Sequence, residues 1–150
     1  MYVNEFLRTL GCSPHKRLFE HAFTAALAGP GVGSGSFRHG AVLTDGPRVV
    51  SVGYNQYKTH PRLREVSSYP HLHAETHAIC KHGIDNCDGL SMYVVRVRRD
   101  GNIGTSEPCR ICKYFLDLAD VRVVYYTTNE GWEQLNWDES GPLPQKIRVG

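Results

Sequence analysis

No run of this chain approaches the ~20 consecutive apolar residues that a membrane-spanning helix needs. Neither sign of charge dominates: 17 Lys and Arg stand against 15 Asp and Glu, a net charge of +2. The first absence excludes a helical membrane span. The second argues against a surface dedicated to coating nucleic acid, while leaving room for local basic patches. The start, MYVNEFLRTLGC, has no apolar h-region of a secretory signal, so the cytoplasm is the expected location. Internal repeats and low-complexity linkers are also missing. The five cysteines are an odd count, which in a chain without a secretory signal argues against a disulfide framework. What remains is an ordinary globular composition, 41% hydrophobic and 21% charged over 150 residues, enough for one domain with a real core.

Hydrophobic periodicity outlines that domain. After GCSP, where Ser13 can cap a helix and Pro14 suits its first turn, Leu18, Phe19, Ala22, Phe23 and Ala26 recur at helical spacing until Gly29. GPGVGSGS (29–36) follows a helix and precedes a strand, the reverse of a dinucleotide-binding turn. HGAVLTDGPRVVSVGY reads as a hairpin about TDGP. A long polar loop (55–72) leads to a second helix from about His73 to Lys81. LSMYVVRVR is a third strand, RRDGN a turn, Cys109 to about Leu118 a third helix, and VRVVYYTT a fourth strand. The order αββαβαβ predicts an α/β fold with helices covering a sheet. We expect a single domain over 1–150, with its core at about 13–128. The tail, 129–150, holds both tryptophans and is expected to cover a sheet edge or an oligomer contact.

Chemistry concentrates in two short stretches. PCRIC places Cys109 and Cys112 three apart at a helix start, fitting a redox couple or half of a zinc site. Redox is the weaker reading, because the proline precedes the pair and Arg110 and Ile111 fill its interior. Zinc needs further ligands, and HLHAETH (71–77) offers three histidines and a glutamate. One histidine with two cysteines would leave a coordination position for water, the mark of a catalytic site. A carboxylate that is not a ligand can then move the proton. His73-Ala74-Glu75 followed by Pro108-Cys109-x-x-Cys112 matches the zinc nucleobase deaminase pattern H-x-E…P-C-x-x-C. Both halves fall at expected helix N-termini, whose partial positive charge favours thiolates.

Five stretches in order, HGAV (39–42), VGYN (52–55), HAETHAI (73–79), EPCRIC (107–112) and VRVVYY (121–126), make the chain resemble the cytidine and deoxycytidylate deaminase superfamily. The deoxycytidylate branch is the most similar, and the compact size suits a bacterial or phage-encoded member, then acting in the host cytoplasm. The resemblance implies a three-layer α/β/α sandwich around a mixed sheet of about five strands. It implies one zinc ion held by His73, Cys109 and Cys112, with Glu75 protonating the ring nitrogen and helping ammonia leave. Asn55 would meet the sugar, backbone groups near Ala41, Ala74 and Glu107 the base edge, and Tyr126 the pocket wall. The implied partner is a small nucleotide, most of all deoxycytidylate, and the implied assembly a homo-oligomer.

The chain departs from the pattern in places. GYN continues as QYKTHP rather than a Gly-x-Pro turn, and RRDGNIGTS is inserted before EPC, where tRNA adenosine deaminases have almost nothing. Ligands for a second, structural zinc are not identified; Cys80 and Cys87 read better as small packed thiols. In the loop, Lys58, Arg62 and Arg64 are candidate phosphate ligands beside Asn55, with a solvated surface loop as the alternative. A deubiquitinase-type reading of HLH fails, because it wants a serine and an aspartate where Lys81 and Ile84 stand. A zinc-protease reading of His73 and His77 fails on Ala74. A non-catalytic zinc module binding a protein or single-stranded nucleic acid, with Tyr54, Tyr57 and Tyr69 as stacking groups for the latter, remains the second function class, together with deamination of a nucleoside or of polymeric nucleic acid.

Overall fold

The computed structural model describes residues 1–31, 38–57 and 72–137. Two helices, α1 (Val3–Thr9) and α2 (His15–Ala28), precede the hairpin β1 (Arg38–Asp45) and β2 (Arg48–Tyr54). Then come α3 (Ala74–His82), a short 3-10 turn (Ile84–Asn86), β3 (Ser91–Val97), α4 (Arg110–Leu118), β4 (Val123–Thr127) and β5 (Trp132–Gln134). The five strands form one mixed sheet in the order β2-β1-β3-β4-β5. Only β3 and β4 pair in parallel; the other neighbours are antiparallel.

Strand alternation splits the core into two layers. Val42, Tyr93 and Val95 face Phe6, Phe19, Ala22 and Phe23 of α1 and α2. Ala41, Leu43, Met92, Val94, Val124 and Tyr126 face Ala74, Ala78, Ile79, Phe115 and Leu116 of α3 and α4. The result is the α/β/α sandwich that the resemblance implies.

Close helix approach depends on two missing side chains. A Cβ on Gly40 would stand 2.1 Å from the Ala22 carbonyl oxygen of α2. On Gly53 it would stand 2.3 Å from the Ala74 oxygen and 2.6 Å from the Ala78 nitrogen of α3. The start of α3 therefore rests directly on β2, and the Ser51 hydroxyl, which donates to the Ala78 oxygen at 2.8 Å, holds it there.

Two elements lie outside the sequence expectation. In α1, Val3, Phe6, Leu7 and Leu10 do recur at helical spacing, but seven residues without a side-chain cap are a weak local signal. Phe6 anchors it tertiarily, edge-on to Phe19 and Phe23 at 5.2 and 5.8 Å between centroids. The inserted segment supports the same end of the chain. Asn102 bridges to Tyr2, Ile103 donates its amide to the Met1 oxygen at 2.8 Å and also bridges to Val97. At the other end, the expected tail begins with β5. Trp132 packs on His15 and Tyr125 on the α2 side, while the Trp137 indole donates to the Arg122 oxygen at 2.7 Å.

Gly53→Ala forces a methyl into backbone that cannot yield, and overpacking of this kind costs about 1–3 kcal/mol. Gly89 has open space around its Cβ position but sits at φ +79, so Gly89→Ala carries only the left-handed penalty, roughly 1–2 kcal/mol. Urea unfolding of both variants is expected to show the larger loss for Gly53→Ala, with a matching loss of zinc retention that Gly89→Ala does not share.

Candidate active site

β2 and β3 run in the same direction because β1 lies antiparallel between them, and β4 is parallel to β3. The chain leaving β2 enters α3 and the chain leaving β3 enters α4, so both helices begin at the same edge of the sheet. That edge is where open α/β sheets bind ligands.

His73 and Cys109 occupy equivalent places, each the extended N-cap residue of its helix. The His73 carbonyl accepts from the His77 amide at 2.9 Å and from the Thr76 hydroxyl at 3.0 Å. Cys109 Sγ accepts the Cys112 amide at 3.5 Å. His73 Nδ1 lies 3.2 Å from Cys112 Sγ and 3.5 Å from Cys109 Sγ. All three ligand atoms fall within 4.8 Å of one another. Zinc bonds of about 2.3 Å to sulfur and 2.0–2.1 Å to nitrogen place tetrahedral donor atoms roughly 3.5–3.8 Å apart, so this group could hold one zinc with little adjustment.

The electrostatics of the site suit a metal. The hydrogen bond from Cys112, joined by those from His73 and the Cys112 amide, brings the Cys109 thiol down to about 4, against the opposing effect of burial. Cys112 moves the other way, its proton held by Cys109 and by burial. The hydrogen bond to Cys109 raises His73, again with burial opposing. One thiolate is thus ready, and a cation would displace the remaining protons.

Glu75 sits in the first turn of α3 at 4% exposure. Burial is the largest influence on it and raises its carboxyl; His73 opposes this. It also shares a hydrogen bond with Cys112. A carboxyl in such surroundings is poised to exchange a proton.

The remaining expected residues are distributed unevenly. Asn55 is buried and clamps the start of β1: its Oδ1 accepts the His39 backbone amide at 2.9 Å, and its backbone N–H donates to the His39 oxygen at 3.3 Å. Ala41 and Ala74 are fully buried on the α3/α4 side of the sheet. The Glu107 side chain is half exposed and meets Lys113 at 3.6 Å. Tyr126 lies on the same sheet face, its hydroxyl donating to Glu133 of β5 at 3.0 Å. His77 is a structural group. Its Nδ1 accepts the Tyr54 amide at 3.1 Å, and its ring meets Tyr54 edge-on. Cys87 is a buried thiol raised to about 11 by burial. Lys58, Arg62, Arg64, Tyr69 and His71 lie outside the described residues.

Sequence reasoning missed two supports. The Ser106 hydroxyl donates to the Val94 oxygen at 2.8 Å and meets the Thr127 hydroxyl at 2.9 Å, while the Thr127 hydroxyl donates to the Gly104 oxygen at 2.8 Å. This buried knot ties the segment before Cys109 to the ends of β3 and β4. It was not readable locally, since Ser and Thr in a polar insertion look like solvent-exposed loop. His39 was also passed over, although period-two alternation puts it on the face of Ala41 and Leu43.

Zinc at about 100-fold over its Kd is expected to add about 2.7 kcal/mol to stability, read by urea unfolding of chelated and reloaded protein. Cys112→Ser should abolish most of that gain, and one zinc per chain should be found by elemental analysis.

The family model for the cytidine and deoxycytidylate deaminase zinc-binding region matches residues 12–128. Among solved structures, the dCMP deaminase of cyanophage S-TIM5 in complex with dCMP and dUMP is 20% identical, with a TM-score of 0.55 over 90% of this chain and 92% of that one. Its apo form is 19% identical, with a TM-score of 0.54 over 75% and 81%. The cytidine deaminase from Mycobacterium leprae is 20% identical, with a TM-score of 0.51 over 80% and 92%. These likenesses establish a shared fold; no curated protein matches significantly. By its fold and by a family match that takes in both halves of the site, this chain belongs to the zinc-binding cytidine and deoxycytidylate deaminase family.

Proposed function

We propose that the protein hydrolytically deaminates a cytosine nucleotide, converting dCMP and water to dUMP and ammonia. Family and fold support the coarser statement, a hydrolytic deaminase. The observation that carries the reading is the convergence of His73, Cys109 and Cys112 beside a buried glutamate that is not one of the three grouped ligands. That the cyanophage neighbour was solved with dCMP and dUMP supports the choice of nucleotide.

In this reading His73, Cys109 and Cys112 hold zinc, which supplies the Lewis acidity that makes water nucleophilic near neutral pH. Glu75 takes the proton from the attacking water and delivers it to the ring nitrogen of cytosine. It then carries a proton to the departing amino group, so that ammonia leaves and the carbonyl forms. Burial raises its carboxyl above the usual range, which favours its holding a proton between the two transfers. Asn55 holds the strand edge against which the sugar lies, and backbone around Ala41, Ala74 and Glu107 meets the base edge. The proposal includes a cytoplasmic homo-oligomer, which sedimentation or light scattering would test. No helix among the described residues is long and apolar enough to cross a membrane.

Zinc-loaded protein should release ammonia from dCMP in preference to deoxycytidine, cytidine or cytosine-containing oligonucleotides. Glu75→Ala should lower that rate by about 10²–10⁴-fold while zinc content stays the same. Release undiminished in Glu75→Ala would refute the assigned proton path. Silence on every substrate would favour the non-catalytic binding module.

A further inference from the structure

β2 is an edge strand of the sheet, so alternate N–H and C=O groups along it point away from β1 and need partners elsewhere. One face of α3 supplies two of them. Lys81 Nζ donates to the Val52 oxygen at 2.9 Å. One turn earlier, His77 Nδ1 accepts the Tyr54 N–H at 3.1 Å. A backbone N–H can only donate, so Nδ1 carries the lone pair and the proton of the neutral ring sits on Nε2. The Gln56 side-chain nitrogen lies 3.1 Å from the same Nδ1, and it too must donate. A single ring nitrogen therefore receives donors from the residues on both sides of Asn55.

Asn55 is held from the opposite direction by β1, through the two bonds it exchanges with the His39 backbone. Gln56 exchanges backbone bonds with Leu72 at 3.0 and 3.1 Å. Leu72 is buried and directly precedes the metal ligand His73. The stretch Tyr54–Gln56 is thus gripped by β1, by α3 and by the segment that leads into the site. α3 has little freedom to slide, because its backbone rests on Gly53. His73, Glu75 and His77 all belong to the start of this one helix. The bonds to His77 consequently set where Asn55 stands relative to the metal ligand and the proton carrier.

We propose that His77 is a positioning residue for substrate binding. Through Tyr54 and Gln56 it fixes Asn55 at the distance from His73 and Glu75 that lets sugar and base be held together. The role rests on the deaminase reading, which makes Asn55 the sugar contact. It gives His77 no touch with the substrate and no place in the coordination of the metal.

Two amide replacements of different reach test the role in zinc-loaded protein. In His77→Gln the side-chain amide reaches the Nε2 position and leaves the Tyr54 N–H without its acceptor. KM for dCMP should rise about tenfold, within the loss that one unmade buried hydrogen bond carries. Zinc content and kcat should hold, the pattern of lost ground-state binding. In His77→Asn, Oδ1 falls near the Nδ1 position and should restore most of the affinity. Lys81→Met removes the neighbouring contact between the same helix and the same strand edge, away from Asn55, and should leave KM alone. An unchanged KM in folded His77→Gln, an equal rise in His77→Asn or an equal rise in Lys81→Met would overturn the proposal. A loss of zinc in either His77 variant would also overturn it, by making His77 part of the metal site. Should His77→Gln fail to fold, Gln56→Met decides: it removes the second donor and should raise KM, and an unchanged KM overturns the role. If wild type deaminates no cytosine substrate, the deaminase reading falls, and the Kd for dUMP from titration calorimetry replaces KM in the same comparison. Wild type that binds no dUMP either would overturn the positioning role as well.

Discussion

A metal site drawn from His73 and Cys109, 36 residues apart, must bring its donor atoms within a few ångströms. The direction of three strands makes this possible. With β1 antiparallel between β2 and β3, and β4 parallel to β3, the chain leaves β2 and β3 at one edge and enters a helix each time. Two helix N-termini therefore converge, and their partial positive charge favours the thiolate form that a metal ligand needs. Gly53 sets how closely α3 rests on β2 and thereby where His73 and Glu75 stand.

Around this edge, burial and polarity are apportioned with different effects. Glu75 is buried, and burial is the largest influence raising its carboxyl. Cys109 is stabilised as thiolate by hydrogen bonds that outweigh its burial. The Ser106–Thr127 knot hides four hydrogen-bonded groups in a dry interior, where each satisfied bond resists displacement. It holds the segment before Cys109 even though an insertion separates that segment from β3.

The insertion also shows what a family pattern leaves open. RRDGNIG returns to pair Asn102 and Ile103 with the first two residues of the chain. Helix α1 and the inserted turn thus share one end of the molecule. RRDGN was readable as a turn, but α1, short and uncapped, and the pairing of the two were not. Both become ordered by contacts far apart in sequence, Phe6 against Phe19 and Ile103 against Met1.

The amino-acid sequence by itself determined the long elements and the chemistry of the site. Periodic apolar residues gave α2, the hairpin, α3, β3, α4 and β4 close to their observed limits. His73, Glu75, Cys109 and Cys112 stood out because their spacing carries metal and proton chemistry at helix starts. Tertiary structure alone decided that β5 completes the sheet, that His77 braces Tyr54, and that Tyr126 reaches toward Glu133. It also decided that His39 stands opposite Arg96 across the β1–β3 pair. The physical reason is the range of the forces. Helix and strand signals are local sums over neighbouring residues, whereas burial, cross-strand pairing and electrostatic coupling depend on which distant segments the fold brings together.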